Sequence, residues 1–148
     1  PCSSISQYFD DWLEKDGFPF WSLWDNARTW WEIHNLPNVH MVHFANLKSD
    51  MPGEIRRIAE FIGTPIEESK WENILKHCSF DYMRANATKS VPLGGAFWDG
   101  GAQTFIHKGT NGRWLDVLSA KQVLNYEQRA ESELGPDCAH WFATGEFR

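Results

Sequence analysis

The sequence predicts an α/β chain that supplies mostly helices and one strand of a central parallel sheet. Three observations predict it. Apolar residues recur at helical spacing between recognisable caps along most of the chain. Val39-His40-Met41-Val42-His43-Phe44 is a mostly apolar run after a Pro37-Asn38 turn, which suits a buried strand of a parallel sheet. Residues 87–104 carry turn chemistry without periodicity, as a long functional loop would. A lone strand cannot satisfy its own backbone groups, so the chain is expected to be part of a larger sheet protein.

Each element has its own signal. Residues 8–15 form a short amphipathic helix that stops at Gly17, and Phe18-Pro19-Phe20 is a turn. Residues 22–34 are helical, with Trp24, Ala27 and Trp31 on one face and Leu23 and Trp30 beside it. In the strand, His40 and His43 read as groove- or partner-facing residues rather than metal ligands. Asp50 is an N-cap, Pro52 sits in the first turn, and Glu54 is placed for a capping box. Ile55, Ile58, Ala59 and Ile62 follow one helix face, which Gly63-Thr64-Pro65 ends. Further helices are expected over residues 67–77 and 79–86. Ser119 and Gln122 make a capping box for a helix whose stripe is Val123, Tyr126, Ala130 and Leu134. Gly135-Pro136 ends it, and a short helix over residues 137–144 follows.

At 148 residues the chain is one domain's worth, long enough to bury a core. Its nine Trp predict bulky packing or a binding pocket. A formal net charge of −6 argues against broad binding to nucleic acid or a membrane surface, though not against a local basic pocket. Cys2, Cys78 and Cys138 are far apart and form no C-x-x-C pair, so neither a disulfide framework nor a zinc site is expected. A reducing, cytoplasmic setting fits. No apolar run spans a bilayer and no signal peptide is visible. Beginning at Pro1 without Met, the chain is expected to be a processed or partial piece.

The segment with most chemistry is Phe105-Ile106-His107-Lys108-Gly109, followed by Gly112-Arg113-Trp114. Glycine permits the positive φ and close backbone approach that turn N–H groups towards an anion. Lysine adds a mobile charge. The segment reads as a phosphate-gripping loop; a solvated surface turn has the same composition. Phe97 and Trp98, inside residues 87–104, either close over a ligand or pack beneath the loop.

These residues resemble 3′-phosphoadenosine 5′-phosphosulfate-dependent sulfotransferases. Phe105 to Trp114 is similar to that family's Arg-Lys-Gly loop and following Gly-Asp-Trp. Other segments match in the same order: Phe18-Pro19-Phe20-Trp21-Ser22 with Trp30-Trp31, Val39 to Lys48, Glu54-Ile55 through Phe61-Ile62-Gly63, and His77-Cys78-Ser79-Phe80 with Met83. Leu134-Gly135-Pro136-Asp137-Cys138 looks more like bacterial members. The resemblance implies a P-loop-type α/β fold with a central parallel sheet, of which this chain is the C-terminal part. It implies transfer of a sulfuryl group to a hydroxyl or amine of a small-molecule acceptor, without a metal. The donor-binding P-loop, the catalytic His and the leaving-group Lys would lie upstream, in the N-terminal half of the same domain, so this segment holds no catalytic residue and alone is inactive. It implies that Cys78, Ser79 and Phe80 line the adenine pocket, with Phe80 stacking and Met83 filling beside the ring. Phe105, His107, Lys108 and Gly109 would hold the 3′-phosphate. Residues 86–104, with Phe20, Phe97 and Trp98, would border the acceptor. Read without the family, Phe80 and Met83, three apart, fit an ordinary helix face better than a ligand pocket.

The chain departs from the family pattern in places. His107 replaces an Arg that binds phosphate bidentately and is always charged; an imidazole carries charge only below about pH 6.5. Phe44-Ala45 replaces a Tyr-Glu pair, and Cys78 replaces a Thr. The dimer signature of many animal members reads Leu115, Ser119, Ala120 and Leu124, which leaves the oligomeric state open. The departures keep a non-catalytic nucleotide- or partner-binding protein on the same scaffold as the alternative. A phosphoryl-transferring P-loop enzyme lacks a visible Mg-holding motif. A Trp-rich binding module would expose the Trp residues that helical periodicity buries.

Overall fold

The computed structural model describes residues 4–17 and 21–148. Their helices, in chain order, are α1 (Ile5–Glu14), α2 (Leu23–Glu32), α3 (Phe44–Ser49), α4 (Met51–Phe61), α5 (Trp71–Cys78), α6 (Phe80–Ala85), α7 (Ala87–Ser90), α8 (Ala102–Phe105), α9 (Ala120–Leu134) and α10 (Pro136–Thr144). Short 3-10 turns occupy Glu68–Lys70, Pro92–Gly95 and Arg113–Asp116. The Phe18-Pro19-Phe20 turn and Cys2 lie outside the described residues.

No strand occurs among the described residues, which corrects the expectation for residues 39–44. Residues 39–43 have no regular hydrogen-bonded structure, and α3 begins at Phe44. His43 keeps an extended backbone, φ −101° and ψ 135°. A strand exists only through a ladder with a partner, and none is formed by the described residues.

The chain divides into two compact units, one made of Pro1–Glu54 and Gly112–Arg148, the other of Ile55–Asn111. The first is built on α2, α9 and α10. Trp24, Ala130, Leu134 and Cys138 are buried together, with Ala27, Trp31 and Tyr126 packed against them. The helical spacing of Trp24, Ala27 and Trp31 therefore faces this core, whereas Trp30 is 53% exposed. Burial pushes the Cys138 thiol and the Tyr126 phenol up from their ordinary pKa values. Asp16, at φ +51°, turns the chain after α1. Its carboxylate accepts the Ser22 hydroxyl and, at 3.2 Å, the Trp24 N–H, while Ser22 Oγ accepts the Asp25 N–H at 2.9 Å. Several N-terminal N–H groups of α2 are satisfied in this way.

The Ser119–Gln122 capping box forms as its spacing predicts. Gln122 is also buried, at 7% exposure, and its amide donates to Ser6 O, Ser6 Oγ and Asp10 Oδ1 at 3.2, 2.8 and 2.9 Å. One side chain thus caps α9 and ties it to α1. At the other end of α10, His43 Nδ1 accepts the Ala45 N–H at 3.2 Å, its Nε2 bonds the Phe142 carbonyl at 3.1 Å, and Asn46 donates to the Gly145 carbonyl at 3.0 Å. His43 is the cap of α3, and it has the polar partner expected of it, in α10, on a residue that is not in a strand.

In the second unit, residues 87–104 are not the unstructured loop that their turn chemistry predicts. They fold into α7, the Pro92–Gly95 turn and α8, around buried Ala87, Val91 and Ala102, with Trp98 and Ile106 packed against them. Small residues make this compaction possible: a Cβ on Gly95, at φ +88°, would stand 2.2 Å from the Ala102 nitrogen. Arg56 bonds Glu68 through both guanidinium ends, at 2.9 and 3.2 Å, and stacks 4.1 Å from the Trp71 ring. That hydrogen bond holds the Glu68 carboxyl below the usual carboxylate range. Asp50 caps α4 by accepting the Gly53 N–H at 3.0 Å, and of the predicted face Ile55, Ile58 and Ala59 are half-buried while Ile62 is 61% exposed.

Candidate functional site

Every candidate nucleotide-site residue falls in the unit Ile55–Asn111. Cys78 ends α5 and is exposed. Ser79 is the turn between α5 and α6. Its hydroxyl donates to the Lys76 carbonyl at 2.7 Å and accepts the Tyr82 N–H at 3.2 Å, so it closes one helix and caps the next. These two hydrogen bonds of Ser79 join the end of α5 to the start of α6, of which Phe80 is the first residue. Met83, one turn on, is half-buried on the same short helix.

The basic segment meets Phe80 directly. A Cβ on Gly109, whose φ is +59°, would stand 2.6 Å from Cδ2 and from Cε2 of Phe80. Only glycine permits both that backbone and that approach. The ring thus lies against the bend that follows His107 and Lys108. Both of those side chains are exposed and pair with no carboxylate among the described residues. The N–H groups of Lys108, Gly109 and Thr110 donate no hydrogen bond among the described residues. Successive uncommitted N–H groups beside a lysine and a histidine are what an anion requires.

Phe105 closes α8 and packs on Trp98, ring centroids 4.6 Å apart. Trp98 is half-buried against Ala87, Val91 and Ala102, while Phe97 is 75% exposed, edge-on to Trp98 at 6.3 Å. Of the two readings of this pair, packing describes Trp98 and exposure describes Phe97. The fold therefore brings Phe80 to Gly109 and Trp98 to Phe105. Cys78 makes no such junction, and Phe20 lies outside the described residues. No pattern in the sequence singles out Leu93, which holds a left-handed backbone at φ 50° and ψ 31°; the Gly94-Gly95 pair after it is the one signal of an unusual turn.

Among the described residues no helix is long and apolar enough to cross a membrane, and no group of His, Cys, Asp and Glu could hold a metal ion.

Residues 2–135 match the family model described as the sulfotransferase domain. The chain is 26% identical over 157 residues to a glycolipid sulfotransferase of Mycobacterium bovis, covering 96% of this chain and 48% of that one. It is 29% identical to bovine sulfotransferase 1E1, over 82% of this chain and 44% of that one. It is 25% identical to human sulfotransferase 1C2, over 82% and 41%. The chain thus spans about half the length, or less, of the curated relatives it matches. Among solved structures, mouse sulfotransferase SULT7A1 complexed with PAP superposes with a TM-score of 0.75 at 21% identity, covering 94% of this chain and 51% of that one.

Proposed function

The chain belongs to the sulfotransferase domain family and shares its fold, and from that premise we propose that it forms the nucleotide-gripping, C-terminal part of a sulfotransferase domain using 3′-phosphoadenosine 5′-phosphosulfate as donor. The observation that carries this reading is the seating of Phe80 on Gly109, which joins the two segments expected to hold adenine and 3′-phosphate. The solved relative's bound PAP is the desulfated form of that donor, which supports the same reading.

The residues present fit such a ligand. Phe80 is half-buried, leaving part of its ring open for a base to stack on, with Cys78, Ser79 and Met83 around it. The free N–H groups at residues 108–110, with Lys108 and His107, would take the 3′-phosphate through charge-assisted hydrogen bonds. Phe105 would hold this loop from behind through Trp98. Phe97, exposed on the same unit, would meet the acceptor.

The donor, when bound, supplies the activated sulfuryl group. What these residues do is bind and orient. Positioning and electrostatic stabilisation carry most of such a group transfer. The base for the acceptor proton and the lysine for the departing phosphate would come from the upstream half of the domain.

The test is isothermal titration of 3′-phosphoadenosine 5′-phosphate into the full-length protein. Micromolar binding lost in Phe80→Ala and Lys108→Ala supports the reading. A folded protein with no binding refutes it.

A further inference from the structure

In the first unit, α1, α9 and the residues just before α9 line a cleft of about 680 Å³. Small-ligand sites usually measure about 300–1,000 Å³. Its walls include Leu13 and Glu14 of α1, Val117, and Lys121, Gln122 and Asn125 of α9. None of these is a candidate nucleotide- or acceptor-site residue. Gln122 is buried, and its amide, spent on Ser6 and Asp10, ties the two helices together along the cleft. Glu14 and Lys121 are opposite charges on this one cleft. Both are exposed, and neither forms an ion pair among the described residues. The other charges of the cleft are engaged: Asp10 Oδ1 accepts the Gln122 amide, and Arg129 Nε lies 2.9 Å from Glu133 Oε1. The Asn125 amide makes no hydrogen bond among the described residues. Lys121 adjoins Gln122, whose amide reaches Ser6 and Asp10, whereas Glu14 lies one turn beyond Asp10 and two beyond Ser6, about 6–12 Å further along α1. About two or three extended residues of peptide cover that length.

We propose that this cleft binds a short peptide, about two or three residues long, with both termini free. Its ammonium pairs with Glu14, its carboxylate with Lys121, and a backbone amide between them bonds Asn125. Leu13 and Val117 give one of its side chains an apolar wall. A simple amine or carboxylate would leave one of the two charges unpaired, and a phosphate would face Asp10 and Glu14 together. The proposal does not rest on the sulfotransferase reading.

The experiment follows binding of the tripeptide Gly-Leu-Gly to the full-length protein by chemical-shift titration, beside its N-acetyl and C-terminal amide forms. The free peptide is expected to bind saturably with a Kd below about 1 mM, and each blocked form about tenfold more weakly. Glu14→Gln is expected to weaken the free peptide about tenfold and to leave the N-acetyl form unchanged, because that form has no ammonium to lose. Lys121→Gln is expected to weaken the free peptide about tenfold and to leave the C-terminal amide unchanged for the matching reason. Both side chains are exposed and unpaired, so both variants should melt as the parent does. No saturable binding of the free peptide overturns the proposal. So does equal affinity for the free and blocked peptides, or an affinity that survives both substitutions.

Discussion

Phe80 and Gly109 are packed so closely that a single added methyl carbon would stand 2.6 Å from two ring atoms. Residues separated by about half of the second unit's sequence are locked by the absence of a side chain at one of them. Gly109→Ala therefore meets two penalties: a left-handed alanine and a clash with an aromatic ring that must move. The expected loss is about 2–4 kcal/mol by urea unfolding. Adding Phe80→Ala should restore part of it, because the clash partner is gone, and a double-mutant cycle would read a coupling of about 1 kcal/mol or more. Additive losses would show that the ring is not what excludes a side chain at Gly109.

The basic loop makes a second prediction. His107→Arg installs a permanently charged, bidentate phosphate ligand. Titration of 3′-phosphoadenosine 5′-phosphate should show tighter binding than in the parent, since a guanidinium can grip two phosphate oxygens at once. Lys108→Ala should weaken binding about tenfold or more. Equal affinity of the parent and His107→Arg would remove His107 from the phosphate contact.

Cys138 links burial to pH. It lies at 2% exposure beside Trp24, Ala130 and Leu134, and burial pushes its thiol up. A raised folded pKa means that the protonated form is favoured in the fold. Its contribution is complete below the unfolded thiol value of about 8.5 and is lost as pH rises through the folded value. Tyr126, raised for the same reason, acts in the same sense from about pH 10 upward. Thermal unfolding should show stability falling above about pH 8.5 in the parent and a weaker fall in Cys138→Ala. In the native state, exposed Cys78 should react with a thiol reagent and Cys138 should not.

Gln122 is predicted to matter far more than its place in a helix suggests. Gln122→Leu removes the capping-box acceptor and the amide bonds to Ser6 and Asp10 together. The expected loss is about 2–3 kcal/mol, with α1 released first. Hydrogen exchange should show α1 amides losing protection while those of α10 keep theirs. Equal loss in both helices would mean that Gln122 supports the core generally rather than the α1–α9 link.

Much of this was legible along the chain because it depends on neighbours along the chain. The Ser119–Gln122 box, the Asp50 cap, the Gly135-Pro136 stop and the Trp24, Ala27, Trp31 face each follow from spacings within a turn or two of helix. The candidate site residues belong to motifs that are likewise local, and titration with the nucleotide tests their role. What failed was judged by composition alone. Residues 87–104 look like a loop because they carry turn residues without periodicity, but small residues also let chain pack on chain, and Ala87, Gly95 and Ala102 do so. Residues 39–44 look like a strand because they are apolar, but a strand needs a partner that spacing cannot supply.

The sequence by itself determined the places of α2, α4, α9 and α10, because caps and periodicity are local hydrogen-bonding and burial rules. It also determined the chemistry of the basic loop, because charge and positive-φ glycine belong to residue types. The tertiary structure alone decided that Gly109 receives the Phe80 ring, that Trp98 backs Phe105, that Gln122 reaches Ser6 and Asp10, and that Leu93 stands exposed on a left-handed backbone. Each is a contact, or a lack of one, fixed by how distant segments pack, and packing is settled by the shape of the whole unit rather than by any window of its sequence.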